Sequence, residues 1–230
     1  MRLPFAASFE ALIRPGRAFE QAPPALGRAV RDMALVWMPL ALLNAGCTVW
    51  RGIQAYEGLR KGAMPPGILG ISGWLGTDPA DLRELLLTLP APPTFGWVWP
   101  WLLVIVPLSV LGTWLHHAVW DHTGLWLLGG LKANRGFRMS LVAEAEALRI
   151  AALGTLLGLL GFLPWVGVLL ALPLLLLDAY LWLFRGFALA ARHGCEPWKG
   201  LAATVVHAVL VGCCALGLLS LMWVMVRMAV

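Results

Sequence analysis

Residues 147–184 read ALRIAALGTLLGLLGFLPWVGVLLALPLLLLDAYLWLF, and Arg149 and Asp178 are the only charged side chains in the run. A helix needs about 20 predominantly apolar residues to cross the hydrocarbon of a bilayer. This stretch is long enough to cross it twice. Pro164 divides it into Ala147–Leu163 and Trp165–Phe184 with almost no loop between, which predicts a tight helical hairpin inside a membrane.

Working outward, three further apolar segments have spanning length: Met33–Trp50, with Asn44 and Thr48 as its polar side chains, Trp97–Val119, and Leu201–Val226. Trp97, Trp99 and Trp101 mark one end of the second segment, and Trp114 and Trp120 the other, as expected of aromatic belts at the two interfaces. Composition agrees. The 230 residues are 60% hydrophobic and 13% charged, with mean hydropathy +0.79, whereas a soluble domain carries about 25% charged residues. This argues against a soluble enzyme, a disordered chain or a nucleic-acid-binding domain. The expected fold is all-α: a polytopic transmembrane bundle of five spanning helices.

The flanking charges orient it. Arg2, Arg14, Arg17, Arg28 and Arg31 precede the first span; Lys132, Arg135 and Arg138 lie between the second and third; Arg185, Arg192 and Lys199 lie between the fourth and fifth. In the first loop Arg51, Arg60, Lys61 and Arg83 are balanced by Glu57, Asp78, Asp81 and Glu84. Five spans put all three basic surfaces on one side, so the positive-inside rule predicts a cytoplasmic N-terminus and an outside C-terminus. The expected division is a cytoplasmic segment 1–30, then a membrane domain 31–230 with an extracytoplasmic loop at about 51–96.

The first thirty residues lack the unbroken apolar region of a signal peptide. Phe5, Phe9, Leu12 and Ile13 instead share one helical face, ended by Arg14-Pro15-Gly16, which predicts an amphipathic helix on the membrane surface. In the outer loop Asp78 can cap a helix with Pro79 at its first position and Asp81 in its first turn. Pro90 would end that helix, and Leu82, Leu85, Leu86 and Leu89 would share a face. Ser72 is the loop's only serine and it has no His or Cys, so the parts of a hydrolase site are missing there.

Ionisable groups inside hydrocarbon are costly and call for a role. Arg149 stands fifteen residues before Pro164 and Asp178 fourteen after it; Glu144 and Arg185 stand twenty before and twenty-one after. In an antiparallel hairpin each pair falls at one depth, predicting ion pairs Arg149–Asp178 and Glu144–Arg185 that lock the third and fourth spans. A transport or proton pathway is the other reading of these groups. A second cluster, His116, His117, Asp121 and His122, has His117 and Asp121 one turn apart, a spacing open to a transition metal or a proton relay. Glu144 and Glu146 would complete such a site. Hydrogen-bonding interfacial groups are the plainer reading, so no metal or cofactor is assigned. His207 reads as a satisfied bundle histidine. Cys213 and Cys214 read as small buried residues, and the four cysteines make no disulfide framework. Gly154, Gly158 and Gly161 offer a small face for close helix approach. Gly129-Gly130 is not a phosphate loop, since no Walker lysine follows.

These stretches carry a family resemblance: Leu12-Ile13-Arg14-Pro15-Gly16-Arg17-Ala18-Phe19, Gly129-Gly130 through Phe137-Arg138-Met139-Ser140, Ala145–Ala147, Pro164, and Tyr180 through Phe184-Arg185-Gly186. The chain resembles the Yip-one family, the Ypt/Rab-interacting membrane proteins and their bacterial relatives. The resemblance implies five spans with a cytosolic N-terminus. It also implies an adaptor role in which eukaryotic members bind small GTPases and one another. Their longer N-terminal region corresponds here to about thirty residues, so GTPase binding does not carry over. Few lysines among many Ala, Leu, Gly and Arg residues suit a GC-rich bacterium, hence a bacterial inner membrane. The expected function is a non-enzymatic membrane-organising or adaptor component. Its partners would be the lipid bilayer and copies of itself or other membrane proteins, with no nucleic acid. The alternatives are a transporter or permease-like subunit using Arg149 and Asp178, and an intramembrane metal enzyme using His116–His122.

Overall fold

The computed structural model describes residues 4–14, 18–63, 78–131, 136–163 and 165–229, with side chains from 8 to 225 within them. Pro15–Arg17, Ser72, Lys132, Arg135 and Pro164 lie outside the described residues. The helices are α1 (Pro4–Ile13), α2 (Leu26–Arg60), α3 (Pro79–Leu87), α4 (Phe95–Leu127), α5 (Phe137–Gly158), α6 (Val166–His193) and α7 (Pro197–Ala229), with a 3₁₀ turn at Leu159–Phe162. Among the described residues no strand is found, and five helices are long and apolar enough to span a membrane. This is a multi-pass integral membrane protein.

The spans run beyond the expected limits. α2 continues to Arg60 and α4 starts at Phe95, so both ends of the expected 51–96 loop are helical. At 35 residues, α2 is about 52 Å long and exceeds the ~30 Å hydrocarbon. The chain divides into two compact units, one of Met1–Ala41 with Pro107–Val230 and one of Leu42–Val106. The division crosses α2 and α4 close to Pro39 and Pro107, where each helix lacks one backbone donor.

In the smaller unit α3 forms as the sequence predicts. Asp78 accepts a hydrogen bond from the Ala80 amide (2.8 Å) and Pro79 opens the helix. Its C-terminal end is clasped by the end of α2: Tyr56 Oη donates to the Pro90 carbonyl (3.1 Å) and Arg60 Nε to the Leu89 carbonyl (3.0 Å).

The larger unit packs α5, α6 and α7 side by side, with α4 against them at one end. Its core holds Leu125, Ala143, Ala147, Ile150, Phe184, Ala188, Leu189 and Ala203. Alanines make up half of it, and glycines stand where the helices nearly touch. A Cβ on Gly186 would lie 2.7 Å from the Leu201 Cα, one on Gly200 would run into the Gly186 carbonyl, and one on Gly124 would lie 2.7 Å from the Ala203 carbonyl. Of the three glycines expected to serve this purpose, one does so, against a side chain. Gly158 and Gly161 face open space, and Gly154 meets the Leu181 side chain. α6 ends in a left-handed cap at Gly194 (φ 62°), whose amide returns to the carbonyls of Ala190 and Ala191.

One further expectation is detailed and another corrected. α1 packs on α5 and buries Ser8 and Ala11, leaving Phe9 and Ile13 exposed. Of the apolar face read from the sequence, Leu12 packs against the core while Phe9 and Ile13 stay outside it, and the small residues allow the close approach to α5. Cys213 and Cys214 are exposed on α7 rather than buried; apolar surroundings in the sequence signify lipid as readily as core.

Candidate functional site

The polar residues of the larger unit gather where α4, α5, α6 and α7 meet. Arg185 on α6 sits at the centre and is buried. Its Nε donates to Glu144 Oε2 on α5 (3.1 Å), and its Nη2 to Asp121 Oδ2 on α4 (2.5 Å). The other oxygen of Asp121, Oδ1, is hydrogen-bonded to Nδ1 of His207 on α7 (2.5 Å). Through that nitrogen His207 also meets Arg185 Nη2 (3.2 Å). Its Nε2 lies 3.3 Å from Nε2 of His116. The guanidinium also lies over the Trp182 ring, 4.3 Å from its centroid, a cation–π contact. The His117 ring packs edge-on against Trp182 and His207.

Four helices are thus joined through one guanidinium. Asp121 and Glu144 are both fully buried and Arg185 is 2% exposed, so two carboxylates share a single fixed cation. Glu144 Oε1, Arg185 Nη1 and His117 Nδ1 have no hydrogen-bond partner among the described residues.

Two smaller groups lie beside it. Ser140 Oγ is 2.8 Å from His122 Nδ1 and 2.9 Å from His193 Nε2, joining α4, α5 and α6. Arg192 binds Glu146 through both carboxylate oxygens (2.6 and 2.7 Å) and donates to the Gln21 carbonyl (2.6 Å). That pins the segment after α1 to α5 and α6. No family model matches the chain, and no curated protein or solved structure is similar to it.

Of the expected site residues, the structure brings Glu144 and Arg185 together. It does not bring Arg149 and Asp178 together: no ion pair joins them. The cause is register. Facing residues of α5 and α6, Ser140–His193 and Gly154–Leu181, place the turn later than Pro164, so the Asp178 carboxylate lies beside Gly154. Asp178 is therefore displaced by about five residues, roughly 7.5 Å, from the level of Arg149. The long Arg185 side chain bridges a smaller offset to Glu144. Asp178 is exposed, whereas Arg149 is half-buried, with no hydrogen bond or ion pair among the described residues.

The histidine cluster is also divided. His117 and Asp121 share a face as their spacing predicts, but His122 turns to Ser140 and His193. Among the described residues no three His, Cys, Asp or Glu side chains converge as metal ligands. His207 has both ring nitrogens engaged, as expected of a bundle histidine. The sequence reading missed Ser140, Trp182 and His193, and the joining of Glu146 to Arg192. Arg185 and Arg192 are seven residues apart, two turns on one helix face, and that spacing was the available signal.

Proposed function

We propose that this chain is a non-enzymatic membrane-organising or adaptor component of Yip-one-like type, acting through association of its spans with those of a second copy. Its membrane would be a bacterial inner membrane, with the N-terminus cytoplasmic and the C-terminus outside, as the basic loops favour. The observation that carries the reading is Asp178. This carboxylate is exposed and has no ion pair or hydrogen bond among the described residues. It stands twelve residues into α6 and fifteen from its end, about 18 and 22 Å from the two termini. A charged side chain at that depth costs about 2.5–3.5 kcal/mol on insertion scales unless it finds a polar partner. A neighbouring chain supplies one. The buried Arg185 group is then the lock that holds the spans in place while the outer faces associate.

The test is energy transfer between differently labelled copies in liposomes at low protein density. The wild-type chain should transfer above the level of random encounters. Asp178→Leu should fall to that level while remaining folded, because it removes the group that needs covering. Transfer at the random level for the wild-type chain overturns the proposal, as does undiminished transfer for Asp178→Leu.

A further inference from the structure

We infer that the larger unit contains a binding site for a phosphate group, carried by a lipid headgroup or by a soluble phosphate. A cavity of about 600 Å³ opens between the end of α1, the first turns of α2, and α5 and α6. This volume falls within the ~300–1,000 Å³ of ligand sites.

Its walls carry four arginines: Arg14, Arg28, Arg149 and Arg192. Of the three acids that also line it, two are bound by Arg192 and Arg31 and the third is engaged as well. Glu146 is held by Arg192 through both oxygens, Asp32 is bound by Arg31 (2.9 Å), and Glu10 has an interaction of its own. Arg14, Arg28 and Arg149 have no ion pair among the described residues. Arg149 is the most telling. Its Nε is buried without a hydrogen-bond partner, and the acids nearest its charge are Glu146 and Asp32, the two already bound to other arginines. A partly buried guanidinium with its donors unused calls for an anion.

The chemistry selects phosphate. Guanidinium forks present paired N–H donors that match two oxygens of one phosphate. Three such groups converging on one cavity exceed what a single carboxylate can use. The cavity sits at the basic end of the unit, beside the Arg192 end of α6, and basic pockets between helices at that level take anionic lipid headgroups. The remaining volume accommodates whatever the phosphate is attached to. The inference is independent of Asp178, which is not among the lining residues.

The experiment is native mass spectrometry of the full chain in mild detergent, titrated separately with phosphatidylglycerol, phosphatidylcholine and inorganic phosphate. One phosphatidylglycerol should bind per chain in preference to phosphatidylcholine. Arg149→Gln and the exposed Arg28→Gln should each weaken it by about tenfold, the size of a lost charge-assisted hydrogen bond. Arg28→Gln guards against misfolding, since Arg28 packs against nothing in the core. Selective lipid binding assigns the phosphate to a headgroup. Saturable binding of inorganic phosphate that is lost in both variants, without lipid preference, assigns it to a soluble phosphate. Equal binding of the two lipids together with no phosphate binding overturns the inference, as does binding unchanged in both variants.

Discussion

Arg185 satisfies two carboxylates from different helices, so its removal leaves Asp121 and Glu144 buried together with no fixed cation between them. Arg185→Met should destabilise the folded chain by about 3–5 kcal/mol, the usual consequence of stranding a buried charge. The triple variant Arg185→Met/Asp121→Asn/Glu144→Gln removes all three charges and should recover most of that loss. Unfolding in detergent, followed by helix content against added denaturant, measures both. A single variant as stable as the wild type would mean the group contributes nothing to holding the helices. Half of this centre was legible beforehand, because Glu144 and Arg185 stand at matched distances from the hairpin and long side chains forgive a small error in register. Arg149 and Asp178 met the same criterion and failed it. Asp is short, and a shift of about five residues is beyond its reach.

At the level of elements, the bundle depends on where backbones touch. Gly186 and Gly200 bring α6 and α7 together, and Gly124 admits Ala203. Gly200→Ala should destabilise by about 1–3 kcal/mol, since the added methyl meets a rigid backbone carbonyl and forces the helices apart. Gly158→Ala meets nothing within 4 Å, so its gain in helix propensity of roughly 0.5–1 kcal/mol should remain. Thermal unfolding of the two variants side by side decides the matter, and equal midpoints would refute the assignment of the crossing. A glycine-rich pattern in the sequence points to close approach but does not say which glycine meets a neighbour. The cap of α3 was different. Asp78-Pro79 is a local arrangement, closed by one hydrogen bond two residues away, and it was readable at once.

For the molecule as a whole, the proposed topology puts the N-terminus in the cytoplasm and the C-terminus outside. A reporter active only outside the cytoplasm should work when fused after the C-terminus and stay silent when inserted in the loop between α4 and α5. Activity from both positions, or from neither, would refute the proposed orientation. The membrane class, the number of spans and the α3 cap follow from the sequence by itself, because hydropathy and composition add up residue by residue over a short window and need no partner. The meeting of Asp121, Glu144, Arg185 and His207, the exposure of Phe9, Ile13 and Asp178, and the cavity holding Arg149 were decided only by the tertiary structure. Each depends on helix register and rotation, and those are set by backbone approach at Gly124, Gly186 and Gly200, across sequence separations where no local pattern carries the information.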